Sequence, residues 1–534
     1  MSRSSMLWGI LLAAALAATG ADRRAAITPG PEVTTDAGAV RGAGIAGLPR
    51  GAEFLGIPYA AQPVGPLRWR APQSAPHWTA IRDATAWGPA CPQKPSPWLP
   101  EMLGIRQMTT DEACLFLNVW TPDLHPAQLL PVLVWVHGGG NVEGSGEWPP
   151  LGETLAQSGV VVVSFNYRLG AFGFFAYSAL DAESKHQVSG NYGHLDQIAA
   201  LQWVRRNIAR FGGDPQRVTV AGQSSGSEDV CNLMASSLAT RLFRGAILES
   251  GTCVDSVFPR LRELEASGER LTKDLGVSPG PKALAALRSL PAQRILDAAA
   301  SDDNVDLEPN IDGWVLQEQP AVVFARGHQA PVRVMVGTNE DEVSIFASPL
   351  VGARNDRPKT VAEYRAWLQR EFGRFADAVF AAYPAQEDAA VPGAFLTMFS
   401  DYDFAFSAWL LARDTEQAHE PAYLYRFTYV GSGPFAALGA FHSEELMFLS
   451  GHYWTSWVPQ PGDAALSRTI EAYWTNFVKT GNPNGPGVPR WPPFAGHLQC
   501  QQLGRQISPE AVPRAERFGI FEEFLQARLR KAGN

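Results

Sequence analysis

Six short, predominantly apolar runs constrain the fold of this 534-residue chain more than any other feature. They are residues 132–136 (VLVWV), 160–165 (VVVVSF), 218–221 (VTVA), 246–248 (AIL), 332–336 (VRVMV) and 422–427 (AYLYRF). Runs of this length that lack sustained alternation suit strands covered on both faces. Helical patterns separate them. Residues 196–210 (DQIAALQWVRRNIAR) read as an amphipathic helix with Asp196 as its N-cap. Residues 464–479 read as another, stopped by Gly481-Asn482-Pro483. Strands alternating with helices predict an α/β architecture, with a central, mostly parallel sheet flanked by helices. The stretches 255–320 and 345–415 lack strand-like runs and have helical spacing. They read as helical insertions over the sheet, which leaves residues 22–534 as a single domain.

Composition excludes several classes. A chain with 46% hydrophobic and 18% charged residues is not disordered as its main state. With 44 Lys and Arg against 53 Asp and Glu, the net charge is −9. No basic footprint of a nucleic-acid binder is present. Arg3, the apolar stretch 6–18 and the small residues Thr19-Gly20-Ala21 read as a signal peptide over residues 1–21. That apolar stretch is too short to span a bilayer comfortably, and no later stretch is long enough to do so. The expectation is an exported protein, periplasmic or secreted, with no stable membrane insertion after cleavage. Export permits disulfides. Cys91 and Cys114 bracket a Pro-rich segment, Cys231 and Cys253 are the next plausible pair, and Cys500 is left over. Spacing alone does not fix the connectivity.

One motif carries chemistry. Gly222-Gln223-Ser224-Ser225-Gly226 matches G-x-S-x-G, with a strand running into it and a helical segment, 229–235, behind it. This is the context of a nucleophile elbow, a strained turn that presents a serine at the end of a sheet. Upstream, His137-Gly138-Gly139-Gly140 follows the strand at 132–136. Its glycines let backbone N–H groups approach a developing oxyanion, and the N–H of Ser225 adds to them. Serine is a weak nucleophile and needs a base that is itself oriented by an acid. In chain order the acid and then the histidine follow the serine. Asp341 and Glu342 both lie just past the strand at 332–336, and His328, His419, His442, His452 and His497 all follow Ser224. The residues alone leave these choices open.

The chain resembles the type-B carboxylesterases, the group with microbial carboxylesterases, cholinesterases and bile-salt-type lipases. The resemblance runs from about Val33 to the end. It is carried by Phe54-Leu55-Gly56-Ile57-Pro58-Tyr59-Ala60 with Val64-Gly65-Pro66-Leu67-Arg68-Trp69, and by Asp111-Glu112-Ala113-Cys114-Leu115-Phe116-Leu117-Asn118. Gly190-Asn191-Tyr192-Gly193-His194-Leu195-Asp196-Gln197 and Phe211-Gly212-Gly213-Asp214-Pro215 continue it. The resemblance implies an α/β-hydrolase fold with helical insertions over the active site. It implies Ser224 as nucleophile. Glu342 is implied as acid from Gly337-Thr338-Asn339-Glu340-Asp341-Glu342, and His442 as base from Ala440-Phe441-His442-Ser443-Glu444-Glu445-Leu446. Oxyanion donors fall on Gly139, Gly140 and Ser225. Ser250 matches a serine that supports the triad by hydrogen bonding, and Cys91 with Cys114 matches the family's first disulfide.

The implied reaction is two-step acyl transfer from a small-molecule ester, with neither metal nor organic cofactor. The expected substrates are neutral, partly apolar esters. A lipase on long-chain acylglycerols and a non-catalytic adhesion or binding module on the same fold are the alternatives. The latter typically has the nucleophile replaced, whereas Ser224, Glu342 and His442 are all present here. Three departures bear on substrate. Gln223 stands where family members often have Glu. Leu103-Gly104 stands where cholinesterases carry a Trp, which argues against choline esters. Asn141 replaces an aromatic residue after the glycines, which predicts a more polar pocket beside the oxyanion hole. The sequence leaves the oligomeric state unknown.

Overall fold

The apolar runs assemble side by side. The computed structural model describes residues 30–94, 108–301, 305–348, 357–454, 457–495 and 498–533. The expected signal peptide, Leu103-Gly104 and His497 lie outside them. Eleven strands among the described residues form the main sheet. They are β1 (Ala43–Gly44), β2 (Ala52–Pro58), β3 (Phe116–Thr121), β4 (Leu130–Val136), β5 (Val161–Phe165) and β6 (Gly213–Gln223). Then follow β7 (Gly245–Glu249), β8 (Arg333–Asn339), β9 (Ala422–Phe427), β10 (Gln499–Leu503) and β11 (Ile507–Ala511). Their spatial order is β1-β2-β3-β5-β4-β6-β7-β8-β9-β10-β11. From β5 to β10 every neighbouring pair is parallel, and the edge pairs are antiparallel. The six predicted runs are the contiguous centre of this sheet. A second, three-stranded sheet of Glu32–Thr34, Ala39–Arg41 and Arg82–Asp83 adjoins it, with Leu55 N of β2 donating to Ala84 O at 2.7 Å.

Successive side chains of a strand point to opposite faces, so each central strand feeds two cores. Val132, Val134 and Val136 of β4 join one apolar cluster, which includes Ile198, Leu201 and Val204 of α1 (Tyr192–Asn207). Val230, Leu233 and Met234 of α2 (Ser225–Ala235) belong to the same cluster. Leu133 and Trp135 join the other cluster, with Ile470, Trp474 and Phe477 of α3 (Asp463–Thr480). Each such side chain, buried, contributes about 1.5–3 kcal/mol. This is why the runs lack sustained alternation: every residue of β5 and of β7 is buried. Strand β6 extends further toward the N-terminus than its apolar run. Its Gly213 pairs with Leu130 across a register shift before Val218 pairs with Val132.

The expected N-cap at Asp196 is corrected. The helix begins at Tyr192, and Asp196 lies inside it, fully buried. Its carboxylate takes two hydrogen bonds from the Arg168 guanidinium, at 2.7 and 2.8 Å, and one from the Arg168 backbone N–H at 3.1 Å. A core ion pair, not a helix end, accounts for this acid. The helix stops at Asn207 and passes into a 3-10 turn, Ile208–Phe211.

The stretches between the later strands are helical as expected: Leu261–Asp274, Ala283–Ser289, Ala292–Ala299 and Pro320–Ala325, then Val361–Phe372, Ala376–Ala382, Val391–Ser400 and Phe406–Gln417. A π-helical segment, Asp401–Ala405, joins the last two. Cys91 is bonded to Cys114 and Cys231 to Cys253, while Cys500 is free and buried. Among the described residues no helix is long and apolar enough to cross a membrane.

Candidate active site

Parallel neighbours end on the same edge, so the loops after β4, β6, β7, β8 and β9 converge there. In α/β sheets this carboxyl edge is where ligands bind. Ser224 stands at the end of β6 with φ 57° and ψ −133°, half-buried. The strained turn needs close backbone approach on both sides. A Cβ on Gly222 would come 2.3 Å from the Gly226 carbonyl oxygen, and one on Gly226 would come 2.3 Å from that of Val136. Ser224 N donates to Glu249 O of β7 at 2.8 Å, and Ser224 O accepts from Ser227 N and Glu228 N as α2 begins.

The glycine loop packs against this elbow. A Cβ on Gly138 would meet Gln223 O at 2.6 Å. Gly139 has φ 110° and Gly140 φ 63°, conformations that favour glycine. Among the described residues the N–H groups of Gly139, Gly140 and Ser225 donate to no partner. His137 anchors the loop. Its Nδ1 lies 2.9 Å from Gly138 O, its ring stacks on Tyr167, and its carbonyl accepts from the Tyr167 hydroxyl at 2.7 Å. Burial pushes the His137 imidazole down to about 4, against the bond to Gly138, so the ring is neutral at physiological pH.

Of the two acids left open, Glu342 reaches the histidine. Glu342 Oε2 lies 2.6 Å from Nδ1 of His442, and its Oε1 accepts from Asn339 N at 2.7 Å. Both side chains are buried. Asp341 turns to the backbone instead, accepting from Ala440 N at 3.0 Å. Asn339 Nδ2 donates to Phe441 O, so the loops carrying Glu342 and His442 are zipped together. Burial alone lowers the His442 basicity. The charge of Glu342 and its hydrogen bond outweigh that, and the net shift is upward. His328, His419 and His452 are exposed.

The sequence did not point to everything around this imidazole. No hydrogen bond joins Ser224 Oγ to His442 among the described residues, and the Gln223 side-chain amide donates to His442 Nε2 at 3.1 Å. Unliganded sites often hold such bonds loosely, tightening them only around the reacting substrate. The rings of Phe346 and Phe404 lie 5.1 and 5.3 Å from that of His442. Phe404 comes from the π-helical segment, a feature that often occurs at functional sites. Helical periodicity gives no signal for such a segment. Ser250 is buried, and its hydroxyl makes no hydrogen bond among the described residues. Asn141 departs from expectation. It does not open a polar pocket, because its side chain turns inward and donates to Asp229.

The arrangement suits acyl transfer: a strained serine, backbone amides beside it, and a buried carboxylate–imidazole pair. Residues 29–518 match the sequence model of the Carboxylesterase family. The chain is 37% identical over 415 residues to the Fumonisin B1 esterase of Sphingopyxis macrogoltabida, covering 76% of this chain and 75% of that protein. It is 34% identical over 461 residues to the Para-nitrobenzyl esterase of Bacillus subtilis (strain 168), covering 82% and 87%. A solved PNB esterase superposes with a TM-score of 0.78 at 33% identity, covering 92% of this chain and 99% of that one.

Proposed function

This chain belongs to the carboxylesterase family, and from that premise we propose an exported carboxylesterase for neutral, partly apolar esters, with Ser224 as nucleophile, His442 as base and Glu342 as its orienting acid. Its chemistry is that of a serine hydrolase acting on carboxylic esters. The observation that carries the residue assignment is the 2.6 Å contact between Glu342 Oε2 and His442 Nδ1. An acceptor-only carboxylate at Nδ1 keeps the proton on that nitrogen and leaves Nε2 unprotonated, as a base must be.

Ser224 Oγ attacks the ester carbonyl while His442 Nε2 takes its proton. The Gln223 amide gives way to the serine hydroxyl as the substrate seats. The carbonyl oxygen becomes an oxyanion facing the N–H groups of Gly139, Gly140 and Ser225, none of which has a competing acceptor among the described residues. The imidazolium formed is stabilised by Glu342 and returns its proton to the departing alcohol. Water, deprotonated by the same imidazole, then releases the acid from the acyl-enzyme. The two disulfides support export, since such bonds persist in oxidising compartments.

The test is hydrolysis of p-nitrophenyl esters from acetyl to palmitoyl by the protein and by Ser224→Ala. The expected result is activity on short acyl chains, lost by several orders of magnitude in the variant. Near-wild-type activity in Ser224→Ala would overturn the nucleophile. Rates rising toward palmitoyl would replace the esterase reading with that of a lipase.

A further inference from the structure

A buried polar cluster that the acyl-transfer steps leave unused lies beneath the glycine loop. Asp229, on α2, is fully buried. Its Oδ1 accepts from Asn141 Nδ2 at 3.1 Å and lies 3.0 Å from His194 Nε2, and its Oδ2 accepts from Gln197 Nε2 at 2.6 Å. His194 and Gln197 are on α1, and Asn141 directly follows Gly140. One carboxylate thus joins the glycine loop to both helices.

Asn141 is held through its backbone as well. Its N–H donates to Ser225 Oγ at 3.1 Å, and its carbonyl accepts from Gly170 N at 2.7 Å. Its φ is 58°, a left-handed conformation that Asn tolerates better than most residues. Three consecutive glycines make the most permissive backbone a chain can have. An oxyanion hole, by contrast, works only when its donors are held in place before charge develops. A loop of this kind needs a pin where it leaves the hole, and Asn141 occupies that point.

We propose that Asn141 and Asp229 are positioning residues of the oxyanion hole. Asp229 holds Asn141, and Asn141 fixes the Gly139 and Gly140 amides relative to that of Ser225, whose hydroxyl it also engages. This rests on the reading of Ser224 as the nucleophile. Neither residue touches the reacting atoms, so their effect falls on transition-state stabilisation and leaves ground-state binding alone.

The experiment uses Asn141→Gly and Asn141→Asp. Glycine removes the side-chain anchor while keeping the left-handed backbone free of strain. Aspartate keeps the size but sets a carboxylate against Asp229. Active sites are counted by titration with a phosphonate inactivator, so misfolded molecules do not enter kcat. Rates are compared for p-nitrophenyl acetate and its thiono counterpart, whose developing sulfur anion is a poorer acceptor for amide donors. The expected result for both variants is a kcat per titrated site lowered about 10- to 100-fold at nearly unchanged KM, with a smaller oxo-to-thiono rate ratio. A purely structural role would reduce the number of titratable sites but leave the ratio unmoved. Wild-type kcat per site and wild-type ratio in Asn141→Gly would overturn the proposal. Absence of ester hydrolysis by the unmodified protein would overturn the underlying reading, and it is visible before any variant is made.

Discussion

Glu342 Oε2 and His442 Nδ1, one hundred residues apart in the chain, sit 2.6 Å from each other. They meet because β8 and β9 are parallel neighbours and the loops that leave them run side by side. The pairing sets the direction of a pH effect. The imidazole has an ordinary value of 6.5, and Glu342 raises it against the lowering effect of burial. The base must be neutral to act, so the acid limb of kcat/KM is expected above 6.5. Glu342→Gln removes the largest raising charge and leaves burial in place, opposed only by the smaller effects of Glu445 and Asp403. Its residual activity should therefore titrate at lower pH, with kcat reduced by about 10⁴ through the wrong tautomer. A wild-type limb below 6.5 would mean that burial, not Glu342, governs the ring.

The choice among histidines is tested directly. His442→Ala is expected to lose ester hydrolysis by several orders of magnitude. His452, exposed and bonded to its neighbour's carbonyl at Ser450 O, should tolerate alanine within about a factor of two. Steady-state rates of both variants on p-nitrophenyl acetate decide it, and the reverse pattern would move the base to His452.

Gly226 is the elbow's tightest steric constraint toward the glycine loop. A Cβ there would lie 2.3 Å from Val136 O and 2.5 Å from His137 O. Backbone cannot yield as a flexible side chain can, so Gly226→Ala should cost about 1–3 kcal/mol or more in urea unfolding. The same shift displaces Ser224 from the glycine loop, and activity should fall with it. Unchanged midpoint and unchanged kcat would refute the packing argument.

Arg168 and Asp196 form a buried ion pair with bidentate geometry. Arg168→Met leaves an uncompensated carboxylate in the core, at a cost of about 3–5 kcal/mol. Denaturant unfolding should reveal this as a large drop in stability. A change under about 1 kcal/mol would mean that Asp196 is protonated in the folded state and makes little use of the arginine.

Much of this molecule is legible locally. The six apolar runs became the contiguous centre of the sheet, because strand formation depends on side chains within a few residues and on burial of both faces. The elbow at Ser224 and the glycine loop at 138–140 are legible for the same reason, since their backbone conformations demand glycine at particular positions. Asp196 shows where local reading fails. An acid near the start of a helical pattern resembles a cap until a distant arginine is known to face it.

The amino-acid sequence by itself determined the α/β alternation, the turn that presents Ser224 and the order serine, acid, histidine. Family resemblance narrowed the acid and the base. Only the tertiary structure decided that Asp341 turns to Ala440 N while Glu342 meets His442, that Cys231 bonds Cys253, and that Asn141 reaches Asp229. Such contacts join residues far apart in the chain. Sheet register and helix packing set them, whereas propensity and periodicity act over a turn or a strand.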